Sequence, residues 1–216
     1  MLEERTYTKV EIVQILRTKS IEGIKRKLSR YDVEFDDSGR GDNLSITIRK
    51  IRNPFKVFCI LDLGIPAQTD FKKLREFYYY FFCDEEFSAM PFEVKQRRLE
   101  EQGTNISRQT ISNYERYLTE NNLIAPSSSN CIYYFADKDK QRFCDEAEYK
   151  EAWADYWKHK DELLWSNICI ALMKDKYGGV AKKRYVPEYN AIEADTINYL
   201  IDLVIDGMEN DFTITF

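Results

Sequence analysis

The chain of 216 residues has one histidine, His159, and five cysteines: Cys59, Cys83, Cys131, Cys144 and Cys169. A single histidine excludes a multi-histidine metal site. The closest cysteines lie 13 positions apart, so no CxxC zinc pattern and no disulfide framework can be read. Reduced, mostly buried thiols are the expectation. No GxSxG, HExxH or Walker-type loop occurs: Gly39-Arg40-Gly41 is too short, and Gly178-Gly179 reads as a helix stop. His159 falls in the charged stretch Trp157-Lys158-His159-Lys160 and reads as an exposed helix position. The acidic neighbours Glu100-Glu101 and Asp145-Glu146 have the spacing of solvated helix faces rather than of a metal-dependent nuclease. A binding protein with no cofactor and no metal is therefore expected, rather than an enzyme. No apolar run nears the roughly 18 residues of a membrane span, and Met1–Thr8 is too charged for a secretory leader. The expectation is a soluble, cytoplasmic chain.

What is abundant is apolar and aromatic surface. Hydrophobic residues make up 44% of the chain, with 15 Tyr and 13 Phe, enough for packed cores. The net charge of −5 is unevenly spread. Residues 1–57 hold 13 basic and 9 acidic residues (+4), residues 58–89 hold 3 and 6 (−3), residues 90–136 hold 5 of each, and residues 137–216 hold 11 and 17 (−6). The acidity therefore sits mainly in the last third, and the N-terminal segment is basic, a distribution that matters more to a nucleic-acid partner than the sum.

Three segments separate by pattern. In residues 1–56, Thr8 and Glu11 form a capping box ahead of Val10, Val13 and Leu16. Ser20 can cap a second helix, Ser20–Arg30, with Ile21, Ile24 and Leu28 on one face. Val33-Glu34-Phe35, a glycine-bearing turn and Leu44–Ile48 then read as a β-hairpin. In residues 57–136, the apolar Val57–Leu61 reads as a strand. Asp70 caps an aromatic-rich helix to about Cys83, Pro91 opens a helix to about Glu101, and Ser107 caps a third ending near Asn121-Asn122. Leu123-Ile124, a loop Pro126–Asn130 and Cys131–Phe135 read as a second hairpin. Residues 137–216 read as a helical domain: one long helix Asp145–Lys176, a basic-aromatic connector Lys182-Lys183-Arg184-Tyr185 that is either solvated or a further DNA contact, a helix Ile192–Gly207 and a short strand at Asp211–Phe216.

The helix Ser107–Asn121 carries the functional signal. At about 100° per residue, Arg108, Ser112, Arg116, Gln109 and Asn113 fall within about 140° of arc, and Ile111, Tyr114, Tyr117 and Leu118 fall on the other side. Arg, Gln, Ser and Asn are the types that hydrogen-bond base edges and phosphates in a major groove. The stretch Ile106–Leu118 with Asn121-Asn122-Leu123-Ile124 resembles the recognition helix and wing entry of bacterial winged helix-turn-helix DNA-binding proteins, over about residues 70–136. The resemblance implies that Ser107, Arg108, Gln109, Ser112, Asn113 and Arg116 face DNA, with Thr110 supporting the turn or meeting phosphate. Asn122 stands where family members often have glycine, and the loop Ser127-Ser128-Ser129-Asn130 lacks the basic residue of a phosphate-gripping wing.

The N-terminal helix repeats the logic with more charge. Lys25, Arg26, Lys27 and Arg30 surround its narrow apolar stripe, Lys19 and Ser20 precede it, and Arg40 sits at the hairpin tip. Such a cluster contacts the backbone without choosing a sequence. An ordinary solvated basic face is the alternative. Two such modules in tandem resemble the architecture of plasmid replication initiators.

The fold class expected is therefore α+β, mainly α, with one or two winged helix-turn-helix modules and a helical C-terminal domain. The function expected is sequence-specific binding of double-stranded DNA by a homodimer, as in transcriptional regulation, replication or a mobile-element or phage setting. The competing reading is a protein-interaction module, or a DNA mimic that acts as an inhibitor through its acidic C-terminal surface.

Overall fold

The structure is a computed structural model that describes residues 2–137, 140–162 and 165–212. Helices hold about 57% of the residues and strands about 22%, so the chain is α+β and mainly helical. Two antiparallel three-stranded sheets are present. Contacts divide the chain into two units made of non-consecutive stretches, Met1–Tyr79 with Tyr114–Leu123 and Ile192–Phe216, and Tyr80–Asn113 with Ile124–Ala191. This differs from the three consecutive segments read from the sequence.

The first unit opens with β1 (Thr6–Thr8), α1 (Lys9–Leu16) and α2 (Ile21–Arg30). Then come β2 (Val33–Ser38) and β3 (Ser45–Ile51), the expected hairpin. The first helix starts where the capping box places it: Glu11 N–H donates to the Thr8 hydroxyl, and the Glu11 carboxylate accepts from Thr8 N–H at 2.7 Å. Ser20 Oγ accepts from Gly23 N–H at 3.1 Å and starts α2. The sheet order is β1-β3-β2, so the strand before the helices returns to pair with the far arm of the hairpin. Tyr7, Ile12, Leu16, Ile24, Leu28, Val33, Ile46 and Ile48 from all five elements bury together in one core.

After this module the chain departs from the strand expected at Val57–Leu61. It forms α3 (Pro54–Leu61), with Asn53 capping Lys56 N–H at 2.9 Å and Pro54 in the first turn. A short apolar run does not distinguish strand from buried helix, and the Asn-Pro start decides for helix. The next helices are α4 (Phe71–Cys83), the short α5 (Glu85–Ala89), α6 (Phe92–Glu101) and α7 (Arg108–Glu120). Tyr78 in α4 donates to the Tyr114 carbonyl at 3.1 Å, and burial raises the pKa of both phenols, that of Tyr114 to about 12. The last helix, α10 (Ala194–Phe212), starts close to the expected position and completes the first unit. The strand expected at Asp211–Phe216 is not found at Asp211-Phe212, which end α10, and the rest lies outside the described residues.

The second unit holds the largest correction. Residues 124–135 do not fold back as a hairpin. They form one long strand, β4 (Ile124–Asp137), which pairs with β5 (Lys140–Cys144) on one side and β6 (Val180–Tyr189) on the other. The expected wing loop is an irregularity in β4 between Pro126 and Cys131, where the buried Ser127 hydroxyl accepts from Asn130 N–H at 2.8 Å and bonds the Glu188 carboxylate. The expected connector Lys182–Tyr185 is the middle of β6. The long helix expected over Asp145–Lys176 is two helices, α8 (Glu146–Asp161) and α9 (Ser166–Tyr177). They pack Ala152, Met173 and Tyr177 on Phe135 and Ala181 of the sheet, so the C-terminal third is mixed rather than helical. Gly178 ends α9 in the left-handed conformation (φ 79°). At Gly179 an added Cβ would sit 2.7 Å from the Ala136 backbone nitrogen, so only glycine allows β6 to approach β4 there.

Candidate nucleic-acid interface

Two pairs of helices joined by a short turn each expose the second helix's polar side. In the first, the turn is set by Arg17 in the left-handed conformation (φ 48°), and by Lys27, whose ammonium donates to the Leu16 carbonyl at 2.6 Å. Ile24 and Leu28 bury the inner face of α2. Of the residues expected to meet DNA here, Lys19, Arg26, Arg30 and Arg40 are exposed and take part in no ion pair among the described residues. Arg26 and Arg30 are one turn apart on the same face, so their like charges favour a shared anion. Two expected contacts are otherwise engaged. Lys25 meets Asp37 of the hairpin at 2.9 Å, and the Ser20 hydroxyl is the α2 cap. The hairpin also carries acids, but these have partners: Asp36 with Arg49 at 2.5 Å and Asp42 with Lys9 at 2.9 Å.

The second stretch is α6, a tight turn and α7. Gly103 (φ 83°) lets the chain reverse, and Thr104 N–H donates to the Leu99 carbonyl at 2.8 Å. Leu99, Ile106 and Ile111 are buried. Ser107 Oγ accepts from Thr110 N–H at 3.2 Å and shares a 2.8 Å hydroxyl contact with the Thr110 side chain, so both residues serve the helix start. Ile111, Tyr114 and Leu118 form the buried face of α7, as its periodicity requires. Arg108, Gln109 and Arg116 are exposed, while Ser112 and Asn113 are half-buried. The polar face is thus real, but its charges are matched. Arg108 meets Glu93 of α6 at 2.7 Å, Arg116 meets Glu120 at 3.5 Å, and Gln109 donates to Asn113 at 3.3 Å. Exposed pairs of this kind hold little energy and can exchange for a phosphate. Asn122 has the left-handed backbone (φ 56°) read from the sequence.

Other expectations are revised. Only Cys59 and Cys169 are buried; Cys83 is exposed, Cys131 and Cys144 are half-buried, and all five are free thiols. His159 is half-buried rather than exposed. On the second unit, Trp165, which precedes α9, and Ile168 and Leu172 within it are exposed next to the buried stripe of Cys169 and Met173, and Trp157 is exposed on α8. The basic stretch Lys182–Tyr185, expected as a connector, shows no apolar alternation in the sequence that would mark a strand. In the structure, Arg184 stacks its guanidinium 4.7 Å from the Phe92 ring centre. Among the described residues, no helix is long and apolar enough to cross a membrane. Comparison of the chain with known protein families, characterised proteins and solved structures finds no match.

Proposed function

We propose that this chain is a sequence-specific duplex-DNA-binding protein built on two helix-turn-helix modules, the first of them a winged helix. The observation that carries the reading is the N-terminal module. A helix pair is followed by a hairpin in a β1-β3-β2 sheet, and its second helix and hairpin tip present Lys19, Arg26, Arg30 and Arg40 without carboxylate partners. Unpaired cations release counterions when they meet phosphates, which is the main source of affinity for a polyanion. The polar face of α7 (Arg108, Gln109, Ser112, Asn113, Arg116) supplies side chains suited to base edges at the end of the helix where recognition helices touch them. Base reading is assigned to α7 and backbone contact to α2.

Protein contact is the second component. Trp165, Ile168 and Leu172 fall within about 60° of arc at the start of α9, so an exposed apolar strip widens its buried stripe. We assign this face to a second copy of the chain, which would double the DNA contacts. The net −6 of residues 137–216 also suits an inhibitor that mimics DNA, and one measurement separates the readings. Binding to random duplex is titrated with salt. Affinity at ~50 mM salt that falls steeply towards 200 mM, and is lost in Arg26→Ala with Arg30→Ala, supports DNA binding. No binding at ~50 mM salt rejects it in favour of a protein partner.

A further inference from the structure

The second module lacks a basic wing loop, yet its sheet brings cations to the same place by another route. In β6, Lys182 and Arg184 are two residues apart and so share a face, while Lys183 points to the other. Lys182 is opposite Tyr134 of β4, and Tyr134 is opposite Phe143 of β5; Arg184 is opposite Ile132. This face turns towards the first turn of α6, because Arg184 stacks on Phe92 at 4.7 Å. The neighbouring Glu93 is the carboxylate that holds Arg108 of α7 at 2.7 Å. The buried Tyr134 senses both Arg184 and Glu93 electrostatically, which ties the sheet face to the same spot. Arg108 therefore holds Glu93 while Arg184 lies on the adjacent Phe92, beside the N-terminus of α6, which adds a positive partial charge, and Lys182 follows two positions away on the same strand face. Glu188, further along the same strand face, is held by the Ser127 hydroxyl. Lys182 is exposed and has no ion pair among the described residues. Lys183 differs: its ammonium bonds the Tyr185 hydroxyl at 3.2 Å.

We propose that Lys182 and Arg184 on this face of β6 form, with Arg108, a phosphate-contact site for the duplex backbone beside the N-terminus of α7. This rests on the DNA-binding reading above. The strand takes the part that a basic wing loop would have played, although it lies about 60 positions further along the chain than that loop. Arg184, pre-oriented by Phe92, supplies a planar donor set, and Lys182 a mobile point charge. Glu93 holds Arg108 in place until a phosphate competes for it.

The test compares salt dependence of binding to random duplex DNA for the full chain, Lys182→Gln and Lys183→Gln. Each phosphate contact contributes about 0.9 to the slope of log affinity against log salt. Lys182→Gln is expected to lower the slope by about 0.9 and to weaken all sequences equally, and Lys183→Gln to leave it unchanged. Adding Arg184→Gln to Lys182→Gln should lower the slope again by a similar amount, with Arg184→Lys restoring most of it. An equal loss in Lys182→Gln and Lys183→Gln overturns the proposal, since general charge rather than one strand face would explain it. An unchanged slope in Lys182→Gln overturns it too, while a loss in the Arg26→Ala, Arg30→Ala protein keeps the DNA-binding reading intact. Failure of the unaltered chain to bind at ~50 mM salt removes both.

Discussion

The two helix-pair stretches begin alike and end differently. Each second helix starts at a serine cap, Ser20 or Ser107, and each buries a stripe of aliphatic residues. In the first, every strand of the sheet lies within residues 6–51, and four exposed cations take part in no ion pair among the described residues. In the second, both guanidiniums on the polar face are matched by carboxylates, and the sheet is completed by strands from residues 140–144 and 180–189. A locally complete module can concentrate charge because its fold does not depend on distant segments. A module whose sheet is assembled from distant strands can borrow charge from them. On the proposed DNA-binding reading, the first would supply affinity and the second selectivity.

The largest expected effect tests whether both stretches are held by comparable cores. Leu28 and Leu99 are fully buried, and Leu28→Ala and Leu99→Ala should each lower stability by about 2–5 kcal/mol in denaturant unfolding. A small loss at Leu99 alone would show that the second stretch is loosely built. Gly179→Ala comes next, and it touches only the sheet assembled from distant strands. A methyl group 2.7 Å from the Ala136 backbone must push β6 away, at a cost of about 1–3 kcal/mol. Its melting temperature should fall while protection of the β1-β3-β2 amides from exchange is kept. If Gly179→Ala is neutral, the close approach of β6 to β4 is wrong.

Binding variants sharpen the division of labour. Arg26→Ala with Arg30→Ala should weaken random-duplex affinity tenfold or more, about 1.4 kcal/mol, and lower the salt slope by about 2. Arg108→Ala with Arg116→Ala should cost less on random duplex but flatten discrimination among sequences selected from a library. Equal effects of the two pairs on both readouts would erase the distinction.

The smallest effect is one of pH. Burial holds the Tyr114 phenol at about 12, above an unfolded value of about 10, and holds Tyr78 well above its ordinary range. A raised folded pKa means that the native state keeps its proton longer than the unfolded one. This contribution is complete below about pH 10 and is lost as pH rises through about 12. Unfolding followed by circular dichroism should show stability falling in that window, and less steeply in Tyr78→Phe. At neutral pH that variant loses only the hydrogen bond to the Tyr114 carbonyl, about 1 kcal/mol.

Helix starts were legible because their signals are local. Thr8, Ser20, Asp70 and Ser107 each cap the helix expected of them, and Asp145 caps α8. The apolar stripes of α2 and α7 followed from a period of 3.6, and so did the polar face of α7. Three elements were misread for physical reasons. Val57–Leu61 is too short and uniformly apolar for period to separate strand from helix. The serine-rich stretch Ser127–Asn130 looks like a turn, but the Ser127 hydroxyl satisfies its amides from within a strand. Lys182–Tyr185 has no apolar alternation, although it pairs with Tyr134, Tyr133, Ile132 and Cys131 of β4.

By itself the sequence determined where most helices begin, which faces they bury and which polar side chains α2 and α7 can expose, because capping and amphipathicity act over a few residues. Only the tertiary structure decided that Lys25 and Arg108 are neutralised, since Asp37 and Glu93 reach them through folding, whereas Arg116 and Glu120 pair four positions apart along α7. It also decided that β6 completes the sheet beside α6. Strand pairing joins residues 44 to 65 positions apart through backbone hydrogen bonds that any residue but proline can donate to, so no local pattern announces the partner.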